Sequence, residues 1–186
     1  MKKLLIIPAL LLIFSSAHAN TVAEEQAVSC ISENGSNLSG LESCLSKLFV
    51  PASMDCDELL EVHRSIIRAS SGRNDATVRA TTRASSKLAI ISLAANCYSP
   101  DVAARLVSRA GSQAGGGSGI VADATVSGAI DAAGSLGVDS GSLAESASSG
   151  SDTGESQNGG AQTTSTDAVQ IFYDNEVNVS PGETNG

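Results

Sequence analysis

The chain has 186 residues, a formal net charge of -9 at pH 7 and only 3% aromatic residues, with no tryptophan. Side chains this small build one modest core at most, and modest cores usually need covalent staples. Nucleic acid is an unlikely partner, since it is gripped by clustered cations interleaved with stacking rings and this chain is acidic overall.

Met1-Lys2-Lys3, an apolar run from Leu4 to Phe14 and then Ser15-Ser16-Ala17-His18-Ala19 follow the order of a secretory signal peptide, so residues 1–19 are expected to be cleaved after Ala19. The run falls short of the roughly 20 residues that a membrane span needs, which leaves a soluble exported chain without stable membrane insertion as the expectation. The four cysteines, Cys30, Cys44, Cys56 and Cys97, behind an export signal then favour disulfides over metal. No C-x-x-C occurs, and His63 is the one histidine past the leader, so neither metal nor cofactor is expected.

Thr21 and Glu24 form a capping-box pattern that opens a first helix, with Ala23, Ala27, Cys30 and Ile31 on one face and Asn34-Gly35 at its end. Ser39 and Glu42 repeat the pattern for a second, with Leu41, Cys44, Leu45 and Leu48 as its stripe and Pro51 as its stop. The third runs from Ser53 with Cys56, Leu59, Leu60, His63, Ile66 and Ile67 inward. Asp75 is the candidate cap of a fourth, whose apolar residues include Val78, Leu88, Ile91 and Ala95. Ser99-Pro100-Asp101 starts a fifth, which Gly111 ends. In an up-and-down packing at about 1.5 Å per residue, Cys30 and Cys44 fall below the first turn, and Cys56 and Cys97 meet at the opposite end. Those two pairs are the predicted bridges.

After Gly111 the composition turns to Gly, Ser, Ala, Thr and Asp, and every Lys and Arg lies at or before Arg109. Residues 112–168 read as a low-complexity, largely disordered acidic linker with at most weak helices near 120–133 and 140–148. Asp123, Asp131 and Asp139 recur every eight residues without the glycine pattern of a calcium repeat, so they read as solvating charges. Val169, Ile171, Tyr173, Val177 and Val179 then alternate with polar residues and Phe172, the period of a half-buried strand. A lone strand is unstable in water, so this segment, 169–186, is expected to dock on another protein, unless it is simply a loose tail.

His63 has Asp57 and Glu61 nearby, but its place in an apolar stripe makes it a packed histidine rather than a catalytic one. No G-x-S-x-G or S-x-x-K motif is present, and the glycine run at Gly115 lacks the lysine of a phosphate loop, so an enzyme is not expected. Arg64, Arg68, Arg73, Arg79, Arg83 and Lys87 have only Asp75 among them. They predict a basic surface on the third and fourth helices, either solvated or open to an acidic polymer, to self-association or to the acidic tail. The resulting expectation is an all-α, disulfide-stapled bundle over 20–111, a linker, and a strand-like docking segment. In function it is an exported structural or assembly component of the cell surface or extracellular matrix, with a soluble periplasmic binding or inhibitor module as the alternative.

Overall fold

The computed structural model describes residues 15–50 and 53–151. Residues 1–14 and the segment 152–186, which includes Val169, Ile171, Phe172, Tyr173, Val177 and Val179, lie outside the described residues. A first unit of the chain ends at Glu155, and a second, Ser156–Gly186, falls wholly outside them. All regular structure among the described residues is helical: α1 (Ser15–Asn34), α2 (Leu38–Leu45), α3 (Cys56–Ser70), α4 (Asp75–Asn96), α5 (Pro100–Ala114), α6 (Gly119–Leu136) and α7 (Ser140–Ser151). None of these helices is long and apolar enough to cross a membrane.

The stripes expected for the first three helices face the core, with Ala23, Cys44 and Cys56 half-buried and Leu48 buried just beyond the end of α2. Ala27 and Ile31 of α1, Leu41 and Leu45 of α2, and Leu59, Ile66 and Ile67 of α3 are all essentially inaccessible. A fully buried Leu or Ile contributes about 1.5–3 kcal/mol, so these few side chains are a substantial part of the core energy. Two disulfides add covalent ties, Cys30 to Cys44 between α1 and α2 and Cys56 to Cys97 between the start of α3 and the end of α4. They close loops of 14 and 41 residues in sequence separation. Loop-closure entropy puts their stabilisation at about 3 and about 4 kcal/mol. The described part thus has the covalent reinforcement of proteins that live in oxidising surroundings.

Helix starts differ from the sequence expectation where two capping residues compete. Helix α1 is already under way at Ser15, so Thr21 lies inside it rather than at its cap. Asn37, not Ser39, caps α2, accepting from the Gly40 N–H at 3.3 Å. Asp55 and Glu58 make a reciprocal capping box at α3, at 2.8 and 2.9 Å. Asn74 caps α4 through the Thr77 N–H, leaving Asp75 in the first turn. Helix α5 runs three residues past Gly111, to Ala114.

The larger correction concerns 112–151. Instead of a linker, these residues contain two helices that pack onto the bundle, α6 along α4 and α7 along α5, with a further pairing between α6 and α7. Val121, Ala124, Ala129, Ala132, Ala133, Leu143 and Ala147 are buried there. The composition that suggests a linker is what permits the packing. A Cβ added at Gly128 would lie 2.6 Å from the Arg83 carbonyl oxygen and 2.8 Å from Ser86 Cβ. One added at Gly150 would lie 2.5 Å from the Arg105 carbonyl and 2.9 Å from Ser108 Cβ. Glycine at these points lets backbone approach backbone, and many close atomic contacts replace the burial of large side chains. Helix α4 is the axis of the arrangement, packed against α2, α3, α5 and α6. Its buried face is Thr81, Thr82, Ala84, Ser85, Ser86, Ala89, Ile90 and Leu93, so Val78, Leu88, Ile91 and Ala95 do not form the inner stripe.

Candidate functional site

The cations of α3 and α4 follow a helical repeat, and the fold supplies each of the strongest candidates with a carboxylate. Arg64 and Arg68 both bind Glu61 on their own helix. Partial burial opposes ionisation of Glu61, but the hydrogen bonds from Arg68 and Arg64 outweigh it and hold the carboxyl below its ordinary range. Arg83 grips Asp131 of α6 through Nε at 2.6 Å and Nη2 at 2.9 Å, a bidentate pairing that strengthens its hold on the proton. Lys87 Nζ donates to Glu42 of α2 at 2.8 Å. Arg79 lies 3.8 Å from Asp123, and Arg73 donates to the Ser32 hydroxyl at 3.3 Å.

Arg79 and Arg83 thus meet Asp123 and Asp131 of the acidic stretch of their own chain, one of the partners expected for the basic surface, while Arg64 and Arg68 share Glu61 and Lys87 takes Glu42. Exposed pairs of this kind contribute roughly 0–1 kcal/mol each, so they orient helices more than they stabilise them. The Glu61–Arg64 spacing is visible in the sequence. The partners Asp131 and Glu42 stand 48 and 45 residues from their cations, distances that only the tertiary fold closes. The three evenly spaced aspartates have structural partners: Asp123 and Asp131 bind arginines, and Asp139 accepts the Ser142 N–H at the start of α7. Among the described residues no three His, Cys, Asp or Glu side chains gather around a common point for a metal ion.

His63 is fully buried in the junction of α3 with α4 and α5, and its Nδ1 is 2.8 Å from the Ser85 hydroxyl. Nε2 has no hydrogen-bond partner and faces Gly111, where a Cβ would stand 3.1 Å from it. Thr81, Thr82 and Ser108 are buried hydroxyls that also lack partners. Burial, and then the charge of Arg64, lowers the imidazole from 6.5 to about 3, against a weak opposing influence of the Val107 carbonyl, which does not meet hydrogen-bond geometry at Nε2. At neutral pH the ring is uncharged and enclosed. Asp57 does not contribute to its shift, and Glu61 is held by the arginines.

Open clefts among the described residues include one between Leu38, Arg79, Ala80 and Ala124 and another between Ile67, Val78, Gly115 and Ile120. The first contains Arg79 and Arg83, whose charges are met by Asp123 and Asp131. Comparison of the chain with protein-family models, with curated proteins and with solved structures finds no match.

Proposed function

We propose that the chain is an exported, non-catalytic assembly component of a cell surface or extracellular matrix. The disulfide-closed helical bundle is its folded head, and the segment from Val169 to Val179 docks on another protein as an added strand. The observation that carries this reading is the two-residue alternation of that segment beside a head built of helices, which have no free edge on which a strand could pair. Three features of the head support it. Its disulfides suit an oxidising compartment. His63 is enclosed in the core, and Arg64, Arg68, Arg83 and Lys87 are engaged by the head's own carboxylates.

The test is to replace Tyr173 with proline, which removes a backbone donor and restricts the chain in the middle of the alternating stretch. Tyr173→Pro is expected to leave the helical circular dichroism unchanged while the protein moves from surface or insoluble material into the medium or soluble extract. Unchanged fractionation of the variant overturns the docking strand.

A further inference from the structure

Three features place His63 where a change in its charge would separate one part of the bundle from another. First, both disulfides lie within α1–α4: Cys30–Cys44 joins α1 to α2, and Cys56–Cys97 closes the α3–α4 hairpin. None of the four cysteines lies in α5, α6 or α7. Second, the imidazole sits on the seam between these parts. On the α4 side it bonds the Ser85 hydroxyl, and on the α5 side its Nε2 abuts Gly111 beside the Val107 carbonyl, with Thr125 of α6 next to the same glycine. Third, the layer beyond the seam is held by small side chains, chiefly Ala103, Ala104, Ala110, Ala129, Ala132 and Ala147. Opening it exposes less apolar area per residue than opening the Leu- and Ile-rich part held by the disulfides.

We propose that His63 is an acid-operated latch: a proton taken from solvent onto its imidazole opens the α5–α7 layer away from the disulfide-closed helices α1–α4. Closed, the ring cannot hold a charge. The groups that meet it from α4, α5 and α6 are the Ser85 hydroxyl, the Val107 carbonyl, Gly111 and, across that glycine, Thr125, all uncharged. Among the described residues the one charge whose field reaches it is Arg64 of its own helix, which repels a proton. Once the layer opens, water reaches the ring and it protonates at the ordinary histidine value. The sign of the effect follows. The group binds its proton more weakly closed, at about 3, than open, at 6.5, so the closed state is fully favoured above 6.5 and loses stability as the pH falls below it. Most carboxylates titrate lower, near pH 4, which leaves a window of about two units for the histidine alone.

Hydrogen exchange of the full chain with its disulfides intact, read helix by helix as protection factors from about pH 7 to about pH 4.5, tests the latch. The opening constant of α5–α7 is expected to stay flat above about pH 6.5 and then to rise nearly tenfold per unit, while amides of α3 and α4 stay protected. His63→Gln, which keeps a polar group near Ser85 but cannot take the proton, is expected to remove the rise. Should His63→Gln not fold, the unaltered chain decides. Protection that does not change between about pH 7 and about pH 5, or falls equally in every helix, overturns the latch, as does a rise that persists in a folded His63→Gln variant.

Discussion

Gly128 and Gly134 stand six positions apart on α6 and have opposite surroundings. A methyl group at Gly128 meets the Arg83 carbonyl at 2.6 Å and the Lys87 amide nitrogen at 3.1 Å, backbone atoms that cannot swing aside. At Gly134 nothing lies within 4 Å. Overpacking a closed contact costs about 1–3 kcal/mol, whereas alanine in place of glycine in an open helix position gains about 0.5–1 kcal/mol. Gly128→Ala is therefore expected to lower the melting temperature by several degrees and Gly134→Ala to raise it slightly, a contrast that thermal denaturation of the two variants checks. A shared sign would mean that α6 does not seat on α4 through Gly128. The sequence does not distinguish these two glycines, because each reads as one more small residue in a small-residue stretch. His63 was easier to place, since an ionisable group flanked at three and four positions by Leu59, Leu60, Ile66 and Ile67 belongs to the stripe that surrounds it, and it is buried there.

Among the elements, those with a strong apolar period were legible and those made of small residues were not. Helices α2 and α3 follow their stripes closely, and the antiparallel α3–α4 hairpin brings Cys56 to Cys97 as helix arithmetic requires. Helix α4 begins where expected, but its inner face does not follow the apolar residues read from the sequence: it packs on several sides and buries serine, threonine and alanine along with Ile90 and Leu93, while Val78, Leu88 and Ile91 are left half-covered. The caps of α2 and α4 slipped by two residues and one residue for a local reason: the neighbours Asn37 and Ser39, or Asn74 and Asp75, are all competent caps, and the path of the incoming chain selects one. That selection is measurable. Asn37→Ala is expected to cost about 1 kcal/mol because it removes the acceptor of the Gly40 N–H, while the exposed Ser39→Ala is expected to change stability by less than about 0.5 kcal/mol. Urea denaturation of both variants distinguishes this cap from the capping box that Ser39 and Glu42 suggest, for which the costs would be reversed.

For the molecule as a whole, the sequence separates its charges and the fold brings them back together. Every cation precedes residue 110, yet Arg79 and Arg83 find their carboxylates on α6. Helices α6 and α7 therefore complete the head rather than extend from it, and this fixes what a chain ending at Gly111 must lose. Such a chain gives up the burial of Val121, Ala124, Ala129, Ala132, Ala133, Leu143 and Ala147. At about 0.8 kcal/mol per methyl and up to about 3 kcal/mol for a leucine, this approaches 10 kcal/mol before entropy is considered. Freeing two helices returns conformational entropy that offsets much of it. The remaining part gains nothing in exchange: Ser86 loses its contacts with Thr125 and Gly128, Arg83 loses Asp131, and the seam over His63 is cut through the last turn of α5. The net loss is expected to reach a few kcal/mol out of a total of roughly 5–15 kcal/mol for a domain of this kind. A chain ending at Gly111 should accordingly melt at least about 10 °C below the full chain, with a broadened transition in circular dichroism. A sharp melt within about 5 °C of the full chain would mean that α6 and α7 rest on the bundle without supporting it, and that the stability resides in the disulfide-closed helices alone.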